Sequence, residues 1–290
     1  MKSVKKNRLV KRHIEEGLMQ GLMVASFLLI SACLILILGT VIYKGLPAMS
    51  LDMITQAPKG GFYLGKEGGI LNAILGSLYL AGGGTVAALI LSIPITLYLK
   101  SFSGGTKWGH IVRLALDVLW GIPSIVYGAF GFMIMLAIGL RGSLLGGIIA
   151  LTLVELPILV RAMDEVMRLI PADIEQASLA LGATRLETST RIILRQGLPG
   201  IVTALLLAFG RGIGDAASVL FTAGYTDRLP TSLFRPVASL PLAVFFQLGT
   251  PFPEVQQRAY ASALILTLMV LLISLGSRWI AGRLSRFVVK

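Results

Sequence analysis

Six apolar runs, each long enough to cross a lipid bilayer, leave this 290-residue chain few ways to fold. A hydrocarbon core of roughly 30 Å takes about 20 helical residues at 1.5 Å each, and within it every backbone amide must find its partner inside the segment. The runs fall at about 18–43, 70–99, 111–140, 144–159, 198–224 and 259–281, and they predict an all-α membrane protein with six transmembrane helices. Composition agrees, because 55% hydrophobic against 14% charged residues is not the balance of a soluble core. The formal net charge of +12 is spread in short clusters between the runs, which fits membrane topology and excludes a nucleic-acid face. Cys33, alone inside an apolar run, excludes an internal disulfide and a cysteine-rich metal site. His13 and His110 lie among basic residues in polar segments and read as solvated.

The basic residues also orient the chain. The tail at 1–17 carries six (Lys2, Lys5, Lys6, Arg8, Lys11, Arg12), the stretch 100–113 three, the loop 161–197 five and the C-terminal end four (Arg278, Arg283, Arg286, Lys290). The opposite side carries Lys44, Lys59 and Lys66, then Arg141, then Arg228, Arg235 and Arg258. This bias places both termini in the cytoplasm. The first run is too long for a signal h-region and no small-residue cleavage site follows it, so it reads as a retained anchor. The loop 161–197 then becomes cytoplasmic, and 225–258, interrupted by five prolines, becomes external with a short helix expected in LPLAVFFQLG.

Within the cytoplasmic loop, Pro171 and Asp173 supply a helix start and Gly182 a stop, predicting a helix over 174–181. Thr184 and Glu187 have capping-box spacing for a second helix, which Gly197 and Pro199 are expected to end. Apolar faces on two short surface helices need cover, either from the bundle's own end or from another protein.

The stretch FGRGIGDAASVLF sets two charges inside an apolar run. A charge at mid-bilayer costs about 2.5–3.5 kcal/mol on insertion scales, so it normally faces a bundle interior or a water-filled path. On a continuous helix Arg211, Asp215, Ser218 and Thr222 share one face, with Gly210 and Gly214 beside it for close helix approach. Arg211 and Asp215 read either as a mutually neutralising structural pair or as an anion site, with guanidinium as the two-pronged donor and carboxylate as the brake on binding too tightly. Arg113 and Asp117 read as charges snorkelling at a helix end, whereas for Glu155 a lumen-facing position and a helix end both stay open. Pro123 is expected to kink the third span, and Gly82, Gly83 and Gly84 to mark a close helix crossing. G-R-G-I-G follows no strand and is not a dinucleotide fingerprint.

The loop around Gln176, Ala177, Ser178 and Gly182, followed by Leu198-Pro199, resembles the cytoplasmic EAA loop of ABC-transporter permeases, with glutamine in place of the usual glutamate, Glu175 just before it, and Arg195 where many members have proline. LWGIPSIVYGAFGF, EGGILNAILGSLYL, LPILVRAMDEVMRLIP and FGRGIGDAA together resemble the phosphate-specific members, with a length closer to the PstA-type than to the PstC-type permease. The resemblance covers roughly residues 67–225. It implies an ABC importer type I permease bundle, multi-pass in the inner (plasma) membrane, moving inorganic phosphate. The implied partners are a second, PstC-like permease, a cytoplasmic ATP-binding subunit dimer, an external phosphate-binding protein and membrane lipid. It implies no cofactor, metal or catalytic residue in this chain, and no G-x-x-x-x-G-K-S/T is present to bind nucleotide. Glu175, Gln176, Ala177, Ser178 and Gly182 would form the coupling loop, and Arg161 joins Arg211 as a functional arginine, while Asp215 replaces the family's usual glutamate. Another oxyanion (tungstate, molybdate or sulfate), a stand-alone anion channel or carrier, and an enzyme acting on lipid headgroups are the competing readings. The last lacks any His/Asp or Ser/His cluster near a membrane surface.

Overall fold

The computed structural model describes residues 2–59, 67–103 and 105–284; Lys66, Arg286 and Lys290 of the charge pattern lie outside them. Eleven helices follow one another: α1 (Lys2–Gly45), α2 (Leu51–Thr55), α3 (Leu71–Ser101), α4 (Lys107–Gly121), α5 (Ser124–Ala137), α6 (Leu144–Arg168), α7 (Ala172–Ala180), α8 (Arg185–Glu187), α9 (Leu194–Gly214), α10 (Leu240–Leu248) and α11 (Pro253–Leu284). Two-residue strands β1 (Pro58–Lys59) and β2 (Glu67–Gly68) pair antiparallel between α2 and α3. Among the described residues five helices are long and apolar enough to cross a membrane, or six when α4 and α5 count as one broken span.

Local chemistry sets several boundaries. Ser143, Thr106 and Ser239 cap α6, α4 and α10 by accepting from the amides of Gly146, Gly109 and Leu242, which satisfies one orphan donor in each first turn. Thr184 and Glu187 close the capping box in both directions. The helix expected over 174–181 runs over Ala172–Ala180 and is followed by Gly182 at a φ of +87°. The expected short helix in the 225–258 segment is α10.

Three expectations are corrected. The third apolar run is not one kinked helix: Pro123 drives Ile122 into extended backbone, and α4 and α5 meet at 97°. Gly197 and Pro199 do not end the second loop helix. That helix runs on from α8 through a π-helical turn (Thr188–Ile193) into α9, with Gly197 packed on Met167. The fifth run is helical only to Gly214, so residues 215–224 form turns.

The bundle is built around α3, α6 and α9. A β-carbon at Gly83 would come within 2.6 Å of Ile148 and one at Gly84 within 2.8 Å of Leu151, so Gly83 and Gly84 form a close crossing of α3 on α6, while one at Gly82 reaches only Phe209 of α9, at 4.0 Å. Toward α7, Ala88, Leu159, Met163, Met167, Ile193 and Ile201 form one core; at the opposite end Leu80, Leu144, Leu151, Val219, Ala223 and Leu242 form another. Two ion pairs fasten α4 to the α7 half of α6: Arg113 donates to both carboxylate oxygens of Asp164, and Arg161 lies 2.9 Å from Asp117. By contrast, the apolar stretch of α1 is exposed, and the helix touches α11 where Gly45 abuts the Tyr260 carbonyl.

The crossing gives a test. Gly84→Val overpacks α3 against Leu151 and is expected to destabilise the protein by about 1–3 kcal/mol. Gly39→Ala in α1, with open space around it, is expected to be neutral or stabilising by up to about 1 kcal/mol. Thermal unfolding of both variants in detergent checks the contrast.

Candidate functional site

Helix α9 stops inside the bundle. Gly212 in its last turn faces Glu155 of α6, eleven residues past Leu144, which puts the break about 16 Å along α6 at 1.5 Å per residue. A helix that ends at this depth leaves carbonyls without helical partners and a partial negative charge at its terminus, which a cation in the last turn offsets. Arg211 is that cation.

Beyond Gly214 the chain is held by protein at every step. Asp215 is extended, and its Oδ1 accepts from the Ser218 amide at 3.1 Å. The Thr222 carbonyl accepts from Ser143 at 2.9 Å, and the Arg235 and Leu233 carbonyls accept from Leu144 and Leu145, so the free amides at the start of α6 stitch the unwound segment to the 225–258 loop. Gly128 of α5 sits so close to the Ala217 and Ser218 carbonyls that a β-carbon there would come within 2.6 Å of the latter. Non-helical backbone at membrane depth is tolerated only where protein or a water-filled cavity covers it, and here protein does.

The polar residues therefore do not form one helical stripe. Ser218 and Thr222 are fully buried, with the Thr222 hydroxyl bonded to the Ser218 carbonyl at 3.1 Å, while Arg211 is exposed and Asp215 half-buried. Arg211 and Asp215 form no ion pair; Asp215 is occupied by Ser218, and Arg211 makes no hydrogen bond or ion pair among the described residues. The expected close approach at Gly210 and Gly214 also fails: Gly210 has ordinary contact with Ile273 at 3.8 Å and Gly214 has open space, whereas Gly212 is the glycine under pressure.

Arg161 lies apart from Arg211's turn, on α6, bound to Asp117. Arg113 and Asp117, expected as separate snorkelling charges, both reach across to α6. Asp164, which sequence reasoning passed over as loop, is the hub of the lower pair. It also binds Arg168 and is 2% exposed. The signal was present in the spacing: Arg161, Asp164 and Arg168 recur at i, i+3 and i+7, the pattern of a helix continuing past Leu159.

Residues 84–290 match the family model described as "Binding-protein-dependent transport system inner membrane component". The chain belongs to that family. The permease is 32% identical over 278 residues to the phosphate transport system permease protein PstA of Haemophilus influenzae, covering 96% of this chain and 98% of that one. It is 35% identical to the proteins of the same name from Xylella fastidiosa, covering 82% of this chain and 83% of the relative, and Yersinia pestis, covering 86% and 84%. Its fold is shared with a bacterial alginate ABC transporter solved with an alginate-bound periplasmic protein, at a TM-score of 0.63, 15% identity and coverage of 92% and 96%. The MetNI methionine transporter gives 0.61 at 18% identity, covering 74% of this chain and 95% of that one. It is a multi-pass protein of the inner membrane.

At the α7 end of the permease, Ser178 is buried and its hydroxyl lies 2.8 Å from that of Thr188, which ties α7 to the π-turn before α9. Gln176 and Ala177 are exposed, Glu175 is half-buried, Gly182 has open space, and Leu181 is 90% exposed.

The ion pairs make unequal demands on stability. Asp164→Ala strands Arg113 beside a buried position, and the expected loss is about 3 kcal/mol or more. Asp117→Ala removes a carboxylate 45% exposed from a partner 32% exposed, for which the expected loss is about 1 kcal/mol or less. Unfolding midpoints of the two purified variants check this ranking.

Proposed function

We propose that this permease subunit moves inorganic phosphate inward, driven by ATP hydrolysis on a separate subunit. One observation carries the anion path: the Arg211 guanidinium is exposed, without a partner among the described residues, in the last turn of a helix that stops inside the membrane. At that depth an exposed cation facing lipid is costly, so this surface faces water or another protein. Guanidinium offers a phosphate oxygen pair two parallel donors. The relatives named for phosphate transport support the cargo.

In this reading both termini and α7 are cytoplasmic, and a second permease completes the path. Arg161, with Asp117 as its counter-charge, forms a later station nearer α7, and Asp215 holds the unwound segment in place through Ser218. Ser218 and Thr222 support that segment without facing the ion. The exposed residues Gln176, Ala177 and Leu181, with Glu175 and Gly182, dock onto a dimer of ATP-binding subunits. An external phosphate-binding protein delivers the ion at the opposite face. Closure of the ATPase dimer moves α7 and turns Arg211 from outward to inward access.

ATP-dependent uptake of labelled phosphate by vesicles carrying the full complex tests the reading. Arg211→Gln, assembled normally, is expected to lower uptake at least a hundredfold, about 2.7 kcal/mol in transport barrier. A wild-type rate rejects Arg211 as an anion contact. Leu181→Asp is expected to abolish co-purification of the ATPase, and competition by sulfate, molybdate or tungstate separates phosphate from other oxyanions.

A further inference from the structure

Glu155 is the least explained side chain in the bundle. It is fully buried in the middle of α6, and neither carboxyl oxygen has a hydrogen bond to any described residue. Buried polar groups are bonded almost without exception, and one that is not calls for a reason other than stability. Two neighbouring helices face it. From α3 comes Thr85, whose hydroxyl faces the carboxyl and is itself buried without a hydrogen bond. On α9, Gly212 lies directly against Oε1, and a side chain there would occupy the space of the carboxyl. Two charges act on it, Arg211 just before Gly212 and Asp215 just after Gly214. Asp215 is committed to the Ser218 amide, Arg211 is the cation within electrostatic reach, and Arg211 makes no hydrogen bond or ion pair among the described residues. An unbonded carboxyl thus packs against the glycine that directly follows Arg211 in the turn where α9 ends.

We propose that Glu155 is a positioning residue acting on Arg211, the counter-charge that the guanidinium takes when the transported anion leaves. The inference rests on Arg211 being an anion contact. An arginine that binds an anion along a transport path needs a competitor, because two charge-assisted hydrogen bonds with nothing to replace them make a trap. Asp215, fixed to the backbone, does not compete; Glu155, with both oxygens unused, does. Gly212 keeps the way between them open, since any larger residue pushes the carboxyl off the α9 backbone.

The test uses the full complex in vesicles with phosphate-loaded binding protein, comparing Glu155→Gln, Glu155→Asp and Gly212→Ala. A residue kept only for structure and a residue kept for transport differ in sign: replacing a buried carboxyl that has no hydrogen bond by an uncharged isostere leaves the complex as stable or more so. We expect Glu155→Gln to assemble, to melt at or above the wild-type temperature, and to lose at least tenfold in kcat with KM unchanged or lowered, because release is slowed and binding is not. Glu155→Asp is expected to recover part of that rate, and Gly212→Ala to reproduce the loss. Wild-type kcat in Glu155→Gln overturns the proposal, as does a fall in melting temperature that accounts for the lost rate. If Arg211→Gln transports normally, the anion-contact reading falls and this inference with it; if Arg211→Gln is inactive while Glu155→Gln is normal, only this inference falls.

Discussion

The architecture depends on one constraint: α9 ends within the membrane, and its orphaned backbone has to be satisfied by the chain itself. Residues 215–224 meet this by lying on a floor of glycines from α5 and α6, with the Thr222 carbonyl accepting from Ser143 at the start of α6. The Ser143, Leu144 and Leu145 amides at the start of α6 donate to the Thr222, Arg235 and Leu233 carbonyls, the Gly212 carbonyl at the end of α9 accepts from Asp215, and Gly128, Gly146 and Gly147 let the backbones approach closely. A continuous helix here would place Asp215, Ser218 and Thr222 on one polar face. The break instead hides the two hydroxyls and leaves Arg211 alone at the surface.

What could be read from the sequence follows from which interactions are local. Capping at Thr184 and the stop at Gly182 depend on residues within a few positions, and both appear where the spacing puts them. The Gly82–Gly84 triplet is legible because small side chains have one evident use in a membrane helix. Hydropathy, however, reports burial and not backbone conformation. Ala216, Val219, Leu220 and Ala223 are as apolar in a buried turn as in a helix, so the run reads through to Gly224 although Gly214-Asp215 is the chemistry of a helix end. The reverse error shortens α6: Arg161 and Asp164 look like loop because their partners, Asp117 and Arg113, lie 44 and 51 positions away on α4. Charge pairing between helices cannot be seen in a window of either one, and neither can the fit of Glu155 beside Gly212.

The pairings on α6 separate two uses of charge. Arg113, Asp164 and Arg168 satisfy one another, and such groups fix the position of α4 against α6. Glu155 and Arg211 are left unsatisfied, the first where burial makes this costly and the second where exposure at membrane depth does. A bundle selected for stability alone fills such positions with leucine. Among the described residues, Glu155 is the buried ionisable side chain left without a hydrogen bond, and it lies against the turn where α9 breaks.

Connectivity links that turn to α7. Leu169, Ile170 and Pro171 join α7 directly to α6, and the Ser178–Thr188 contact joins it to the π-turn that opens α9. The two helices leaving α7 are thus the two that meet at Glu155 and Gly212, with Met163, Met167, Ile193 and Ile201 packed between them. A displacement of α7 need not travel through the bundle as a whole. It acts on both arms of one hairpin, and the contact most sensitive to their relative shift is the carboxyl held against a glycine backbone. Because packed helices shift between discrete arrangements and do not deform continuously, a small slide of α9 on α6 is enough to bring the Arg211 turn onto Glu155 or away from it.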